Sequence, residues 1–191
     1  MHIAFFGIMA QIDRLMMNTS SPRATSRDFD SAQFRKALSQ FATGVTVITT
    51  RLADGTFRGL TASSFNSVSL DPPLVLWSLG TAANSLPVFS GNSHYVINVL
   101  GAEQAHLAQR FSRRHDNPFG DVAFELSRTG QPILTGATAW FECHNRSRYP
   151  EGDHVIFVGE VEGCSFDPQA PLVFHNGQFS STNSAQSTPE R

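Results

Sequence analysis

The chain is short of charge, of cysteine and of long apolar runs, and each shortage excludes a class of protein. Its 14 Lys and Arg against 16 Asp and Glu give a net charge of −2, which predicts no nucleic-acid surface. Two cysteines without a C-x-x-C pair and seven histidines without ligand spacing predict no metal site. Residues 3–10 are apolar but too few to cross a membrane, and no Lys or Arg precedes them as in a signal peptide. We therefore expect a cytoplasmic protein in a reducing compartment.

Length and apolar content predict one folded domain with polar ends. The 191 residues are 40% hydrophobic and include 16 Phe, which is enough for a packed core. Residues 1–27 are uneven in polarity, and residues 180–191 have no apolar period. We expect a disordered N-terminal extension over residues 1–27, a folded domain over residues 28–179 and a disordered tail.

The order of apolar runs and turn signals predicts a mainly β fold. A helix that is capped by Asp30 or Ser31 and ends at Gly44 carries apolar side chains at positions 34, 37, 38 and 41, the spacing of one helical face. Further short helices are expected over residues 84–89 and 103–112. The expected strands cover residues 45–50, 57–68, 74–79, 95–100, 137–144, 155–161 and 172–179, with residues 146–153 as a turn. Hairpin turns without βαβ alternation predict a closed antiparallel barrel with helices packed outside it.

Four small residues, Thr61 to Ser64, stand where a strand usually carries branched or aromatic side chains. Small side chains let a ligand approach the backbone closely, and hydroxyl and amide groups can bond its polar atoms. A polar sheet edge or a bulge at a strand end explains the same composition. The residues alone favour this second interpretation.

The tripeptide Gly152-Asp153-His154 precedes a strand-like apolar run. A Gly-Asp pair before a strand is common turn chemistry, so the motif by itself is weak. In one interpretation His154 faces an open pocket. In the other it is a turn histidine bonded to Asp153 or Glu142.

Taken together, these segments resemble the flavin reductase-like family, from about Phe34 to Phe179. The resemblance depends on motifs that occur in the family's order: Ala42-Thr-Gly-Val45, Gly59-Leu-Thr-Ala-Ser-Ser-Phe65, Asp71-Pro-Pro-Leu74, Tyr95-Val-Ile-Asn-Val-Leu100, Gly130-Gln-Pro-Ile-Leu134, Gly152-Asp-His154 and Pro171-Leu-Val-Phe-His175. It implies an FMN-binding split barrel, an antiparallel β-barrel with peripheral helices, in a homodimer with flavin near the subunit interface.

The resemblance also assigns roles to residues. It implies that Thr61, Ala62, Ser63 and Ser64 line the isoalloxazine ring. Ser78, Asn84 and Ser85 are then expected near the ribityl-phosphate arm, with Phe111 either as a wall of the site or as core. Asp153 and His154 are expected beside the nicotinamide, where His154 positions the carboxamide or stabilises charge on the reduced flavin.

One family feature is missing. Members often carry a basic residue between the strand at 74–79 and the next helix, and residues 78–83 have none. Arg110, Arg113 or a residue of a partner subunit is then expected to balance the phosphate. No G-x-G-x-x-G motif lies between a strand and a helix, so no Rossmann site is predicted for the nicotinamide.

The function that the resemblance implies is hydride transfer from NADH or NADPH to FMN or FAD, with release of reduced flavin to a partner monooxygenase. Two alternatives stay open. In one, the flavin is held tightly and passes electrons to another acceptor, such as a corrin cobalt or ferric iron. In the other, the chain is a flavin-binding protein without enzyme activity.

Overall fold

The structure is a computed structural model that describes residues 28–115 and 117–182. The chain divides into two units, Met1–Arg35 and Lys36–Arg191. Within the first, Asp30 Oδ1 accepts a hydrogen bond of 2.7 Å from the Gln33 amide, which confirms Asp30 as the cap of helix α1 (Ser31–Leu38). The predicted extension over residues 1–27 lies outside the described residues.

Helix α1 ends six residues before the predicted stop at Gly44. Residues Thr43–Gly44 form a short strand, β1, which pairs with a later strand through Gly44 and Val173. Thr and Gly both have low helix propensity, and the sheet partner supplies the hydrogen bonds that further helical turns would have made. Of the four apolar residues in the predicted helix, Phe34, Leu38 and Phe41 are 51%, 57% and 76% exposed.

Most of the remaining chain forms antiparallel strands separated by short helices. The other strands are β2 (Thr46–Arg51), β3 (Phe57–Ala62), β4 (Asn66–Leu70), β5 (Pro73–Gly80), β6 (His94–Val99), β7 (Phe124–Leu126), β8 (Pro132–Leu134), β9 (Ala139–Glu151), β10 (His154–Phe166), β11 (Leu172–His175) and β12 (Gln178–Ser181). The helices are α2 (Leu86–Gly91), a 3-10 turn (Ala102–Gln104) and α3 (Ala105–Phe111). No helix among the described residues is long and apolar enough to cross a membrane.

Seven strands form one sheet in the order β3-β2-β6-β9-β10-β5-β4. The predicted strand over residues 57–68 is in fact two strands, β3 and β4, which are the two edges of this sheet. Residues 63–65 connect these two strands. The predicted turn over residues 146–153 was also wrong, because β9 continues to Glu151 and only Gly152 and Asp153 form the turn. The mainly β, antiparallel character of the prediction is confirmed.

Two apolar clusters fill the interior. In one, Trp77 stacks on Phe157 with ring centroids 4.4 Å apart, and Phe89 and Tyr95 meet Trp77 edge-on. In the other, Phe111 of α3 packs on Phe119 beside β2 and β3. The second cluster is the support of the groove described next.

Candidate flavin and nicotinamide site

A groove of about 1560 Å³ runs along the end of β3. Its walls come from β3, the turn before α2, the C-terminal half of α3 with the loop that follows, and the β11–β12 hairpin. A groove of this size exceeds the range of about 300–1,000 Å³ that is usual for a small-ligand site. It has room for more than one ring system.

Two of the four small residues at the end of β3 face this groove. Thr61 and Ser63 line it, whereas Ala62 and Ser64 do not. Side chains alternate between the faces of a strand, so Ala62 points into the core, where it is 8% exposed. The Thr61 hydroxyl donates a hydrogen bond of 2.7 Å to the Ala108 carbonyl of α3, which leaves its lone pairs for a ligand.

Ser64 has a structural role. Its Oγ accepts a hydrogen bond of 3.0 Å from the Ser78 amide and lies 3.3 Å from the Ser78 carbonyl. These contacts fasten the connection between β3 and β4 to β5. Neither Ser64 nor Ser78 lines the groove, although both were predicted as cofactor contacts.

The turn before α2 supplies the next predicted residues. Asn84 and Ser85 line the groove together with Ala83. The Ser85 carbonyl accepts from the Phe89 amide at 3.1 Å, and Pro87 stands in the first turn, where its missing amide costs nothing. Local helix chemistry therefore fixes this turn at the groove wall.

Phe111 belongs both to the groove wall and to the core. It lines the groove and is only 4% exposed. Its ring packs directly on β3, since a Cβ on Gly59 would stand 2.7 Å from Phe111 Cδ1. Gly59 is therefore the residue that lets α3 approach the strand.

Asp153 and His154 lie at the Gly152 turn between β9 and β10, outside the residues that line the groove. His154 Nδ1 is 2.7 Å from Asp153 Oδ1, and half of the His154 side chain is exposed. Its Nε2 lies 3.9 Å from the position that a Cβ on Gly80 would take.

The same turn is tied to the groove wall. The Thr81 amide donates to the Asp153 carbonyl at 2.8 Å, and Thr81 leads directly into the turn at Ala83 and Asn84. His154 is thus held beside the groove rim.

Glu142 does not bond His154. Its Oε1 accepts hydrogen bonds from the Ser127 hydroxyl and from both the amide and the hydroxyl of Thr129, at 2.6–2.8 Å. Burial alone would raise the pKa of Glu142, but these hydrogen bonds outweigh it and hold the pKa below its usual value. The interpretation of His154 as a partner of Glu142 was wrong.

The sequence analysis missed several polar groove residues. These are Gln109, Gln178, Arg58 and His115, which line the groove together with Arg113 and Arg114. The run of basic residues from Arg113 to His115, directly after a helix, was the sequence feature that could have predicted His115 as a groove residue. No sequence feature marks Arg58 as a groove residue. Arg110, which was also considered for the phosphate, donates instead to the carbonyls of Pro118 (2.7 Å) and Asn117 (3.0 Å).

No group of three or more potential metal ligands is placed together within residues 28–115 and 117–182.

Residues 38–183 match the family model of the flavin reductase like domain. The FMN reductase (NADH) SmoA of Agrobacterium fabrum is 43% identical over 150 residues, 78% of this chain and 85% of that protein. The reductase component of the flavin-dependent trigonelline monooxygenase of Acinetobacter baylyi is 38% identical over 147 residues. These cover 77% of this chain but only 47% of that protein.

Among solved structures, the NADH:FAD oxidoreductase SgcE6 of Streptomyces globisporus, in complex with NAD and FAD fragments, has the same fold. The TM-score is 0.78 and the identity 35%, with 82% of this chain and 94% of that chain covered. At this similarity the mainly β architecture of the two chains is shared.

Proposed function

The chain belongs to the flavin reductase-like family, and on this basis we propose that it is an NAD(P)H-dependent flavin oxidoreductase. It transfers a hydride from NADH or NADPH to FMN or FAD and supplies the reduced flavin to a partner monooxygenase. A relative named as an FMN reductase and a solved structure named as an NADH:FAD oxidoreductase support the hydride transfer to flavin. A relative named as the reductase component of a monooxygenase supports the partner. The observation that carries it is the single groove that brings together Thr61, Ser63, Asn84, Ser85 and Phe111.

The groove residues fit a flavin. Ser63 is small and exposed, and Gly59 and Thr61 bring backbone close to the groove. Hydroxyl and amide groups of Thr61, Ser63, Asn84 and Ser85 offer donors and acceptors for ring carbonyls, ring nitrogens and the ribityl chain. No Asp or Glu is among the described residues that line the groove.

His154 orients the nicotinamide. A bound flavin would supply the hydride-accepting ring, and His154 with Asp153 would orient the nicotinamide against it. Asp153 Oδ1 fixes the Nδ1 side of the imidazole at 2.7 Å, which leaves Nε2 for the nicotinamide carboxamide. We place both residues at the nicotinamide end of the site, next to Gly80 and the groove rim.

A homodimer in the cytoplasm completes the proposal. Several large apolar side chains are exposed to solvent, and a second copy of the chain that covered them would remove this apolar surface from water. They are Phe41 (76% exposed), Val68 (48%), Leu70 (95%), Tyr149 (53%) and Phe166 (78%). The free thiols of Cys143 and Cys164 are compatible with a reducing compartment.

Anaerobic oxidation of NADH and of NADPH, each with FMN, FAD or no added flavin, tests the function. We expect turnover to rise with the concentration of added flavin and to be negligible without it. Turnover that is independent of added flavin and needs only an external metal acceptor would support the alternative with a tightly bound flavin. Absence of nicotinamide oxidation under every condition would contradict the proposal.

A further inference from the structure

Strand β5 ends directly opposite His154. Its last residue, Gly80, pairs with His154, which is the first residue of β10. Side chains of directly opposed residues in an antiparallel pair are neighbours on one face of the sheet. A side chain at position 80 would therefore lie beside the imidazole, and a Cβ there would stand 3.9 Å from His154 Nε2. Because position 80 is a glycine, this side of the ring is open.

Neither the backbone nor the packing requires a glycine at position 80. Gly80 does not have a positive φ, so an L-residue fits its backbone. A Cβ on it would make only ordinary van der Waals contacts, at 3.9 Å from His154 Nε2 and from the Asp153 carbonyl oxygen. At Gly59, by contrast, a Cβ would stand 2.7 Å from the Phe111 ring. A glycine also weakens a strand, so the open space beside His154 is what favours one here.

Thr81 holds the backbone of the turn that leads into His154. Its amide and its hydroxyl both donate to the Asp153 carbonyl, at 2.8 Å and 3.1 Å. A carbonyl oxygen has two lone pairs and can accept both hydrogen bonds. Asp153 in turn contacts the imidazole through Oδ1, 2.7 Å from His154 Nδ1, although the Asp153 side chain is 94% exposed. The bonds from Thr81 therefore restrain the residue that orients the ring.

This arrangement suits a ligand that donates a hydrogen bond. A neutral imidazole that donates from Nδ1 to a carboxylate keeps a lone pair on Nε2. The NH2 group of a nicotinamide carboxamide is a donor that Nε2 can accept from. Such a donor must come within about 2.7–3.2 Å of Nε2. A side chain at Gly80 would begin 3.9 Å from the same atom and would compete with the ligand for this space.

We propose that Gly80 and Thr81, at the end of β5, control how the nicotinamide reaches His154. Thr81 is a positioning residue that acts through Asp153, and Gly80 keeps Nε2 accessible. The inference rests on the proposed function, in which His154 accepts a hydrogen bond from the carboxamide. It adds two residues that neither line the groove nor touch the flavin.

The first experiment compares Gly80→Ala and Gly80→Val with the wild type and with Gly44→Val as the matched control. Gly44 is also a strand glycine without a positive φ, and a Cβ on it would meet nothing within 4 Å. Stopped-flow reduction of bound flavin over a range of NADH concentrations gives the NADH affinity and the limiting rate. Modification by diethyl pyrocarbonate, located by peptide mass spectrometry, reports access to His154, with the exposed His106 as the internal reference.

We expect Gly80→Val to lower the ratio of the limiting rate to the NADH dissociation constant about ten- to a hundred-fold, and Gly80→Ala to lower it less. Modification of His154 should slow relative to His106. The melting temperature should not fall, because a β-branched residue suits a strand and restricts the unfolded chain. Unchanged kinetics in both variants would overturn the role of Gly80. So would a kinetic loss without slower modification of His154, or an equal loss in Gly44→Val.

The second experiment compares Thr81→Val with Thr81→Ser, which keeps the hydroxyl. Loss of one of the two bonds to the Asp153 carbonyl should slow the limiting rate about three- to ten-fold in Thr81→Val, with the flavin affinity unchanged. Thr81→Ser should keep the wild-type rate. Equal losses in the two variants, or no loss in Thr81→Val, would overturn the positioning role.

Failure of this inference is distinguishable from failure of the proposed function. A wild type that reduces no flavin with NADH or NADPH would contradict the proposed function. Modification of His154 at the same rate in the wild type and in Gly80→Val would contradict the inference alone, because diethyl pyrocarbonate reacts without any cofactor.

Discussion

A substitution at Ser63 can distinguish an effect on flavin affinity from an effect on the stability of the fold. It is exposed, lines the groove and makes no hydrogen bond with another described side chain or backbone group. We expect Ser63→Leu to weaken flavin binding about ten-fold, or about 1.4 kcal/mol, because a branched side chain fills ligand space. The melting temperature should change little. Ser64→Leu is the contrast: loss of its bond to Ser78 should lower the melting temperature.

Flavin fluorescence titration and thermal unfolding of both variants check this prediction. A Ser63→Leu variant with unchanged flavin affinity would remove the end of β3 from the site.

His154 is expected to act on hydride transfer and not on flavin binding. Replacement by Ala removes one or two hydrogen bonds to the nicotinamide, which should slow flavin reduction about ten- to a hundred-fold at saturating NADH. Stopped-flow reduction of bound flavin isolates this step. His144→Ala, an exposed histidine outside the groove, is the control. An unaltered reduction rate and NADH affinity in His154→Ala would return His154 to a structural role.

At the residue scale, the sequence identified a segment that lines the groove but not the direction of each side chain. Composition placed Thr61, Ala62, Ser63 and Ser64 together, whereas strand alternation and the bond to Ser78 turn Ala62 and Ser64 away. The local sequence around Arg58 could not predict that this residue lines the groove, because its position there depends on how α3 packs across β3.

At the scale of elements, Glu142 fastens the turn over residues 127–130 to β9. Its lowered pKa means that the folded state favours the carboxylate, so this stabilisation is present above the usual glutamate pKa of about 4.3 and is lost as pH falls through the lower folded-state value. We expect Glu142→Gln to lower the free energy of unfolding by about 1–3 kcal/mol at pH 7. In acid, the difference in this free energy between the variant and the wild type should shrink toward zero.

Urea unfolding at pH 7 and near pH 3 measures this difference. Glu160→Gln, at an exposed ion pair with Arg146, should cost less than about 0.5 kcal/mol at either pH. If Glu142→Gln lowers the free energy of unfolding by the same amount at both pH values, the charge of the carboxylate is not what stabilises the turn.

The apolar runs predicted the cores of the strands well but not their ends. Residues 146–151 of β9 carry no apolar alternation and include Pro150, so they were interpreted as part of a turn. They are strand because β10 pairs with them, as Tyr149 with Ile156 and Pro150 with Val155. The break between β3 and β4 was missed for the opposite reason, since Phe65 and Val68 continue an apolar pattern across it.

For the whole molecule, the domain boundaries remain a prediction. Strand β12 extends to Ser181, two residues into the predicted tail, and residues 183–191 lie outside the described residues. We expect removal of residues 1–27 to leave the flavin reduction rate and the melting temperature nearly unchanged, because their sequence has no apolar period long enough for a packed element.

Light scattering after size exclusion should give about twice the 20.9 kDa of one chain for the full-length protein and a dimer for the truncated one. A melting temperature many degrees lower after truncation would show that residues 1–27 pack. A monomer mass for the full chain would contradict the homodimer.

The central claim is that reduced flavin leaves the protein for a separate acceptor. Its most direct test is anaerobic ultrafiltration of a mixture of the protein, excess FMN and excess NADH, with the reduced flavin in the filtrate measured by absorbance. The account predicts many equivalents of reduced FMN per subunit in the filtrate, equal to the NADH consumed. Reduced flavin that stays with the protein at no more than one equivalent per subunit would contradict it.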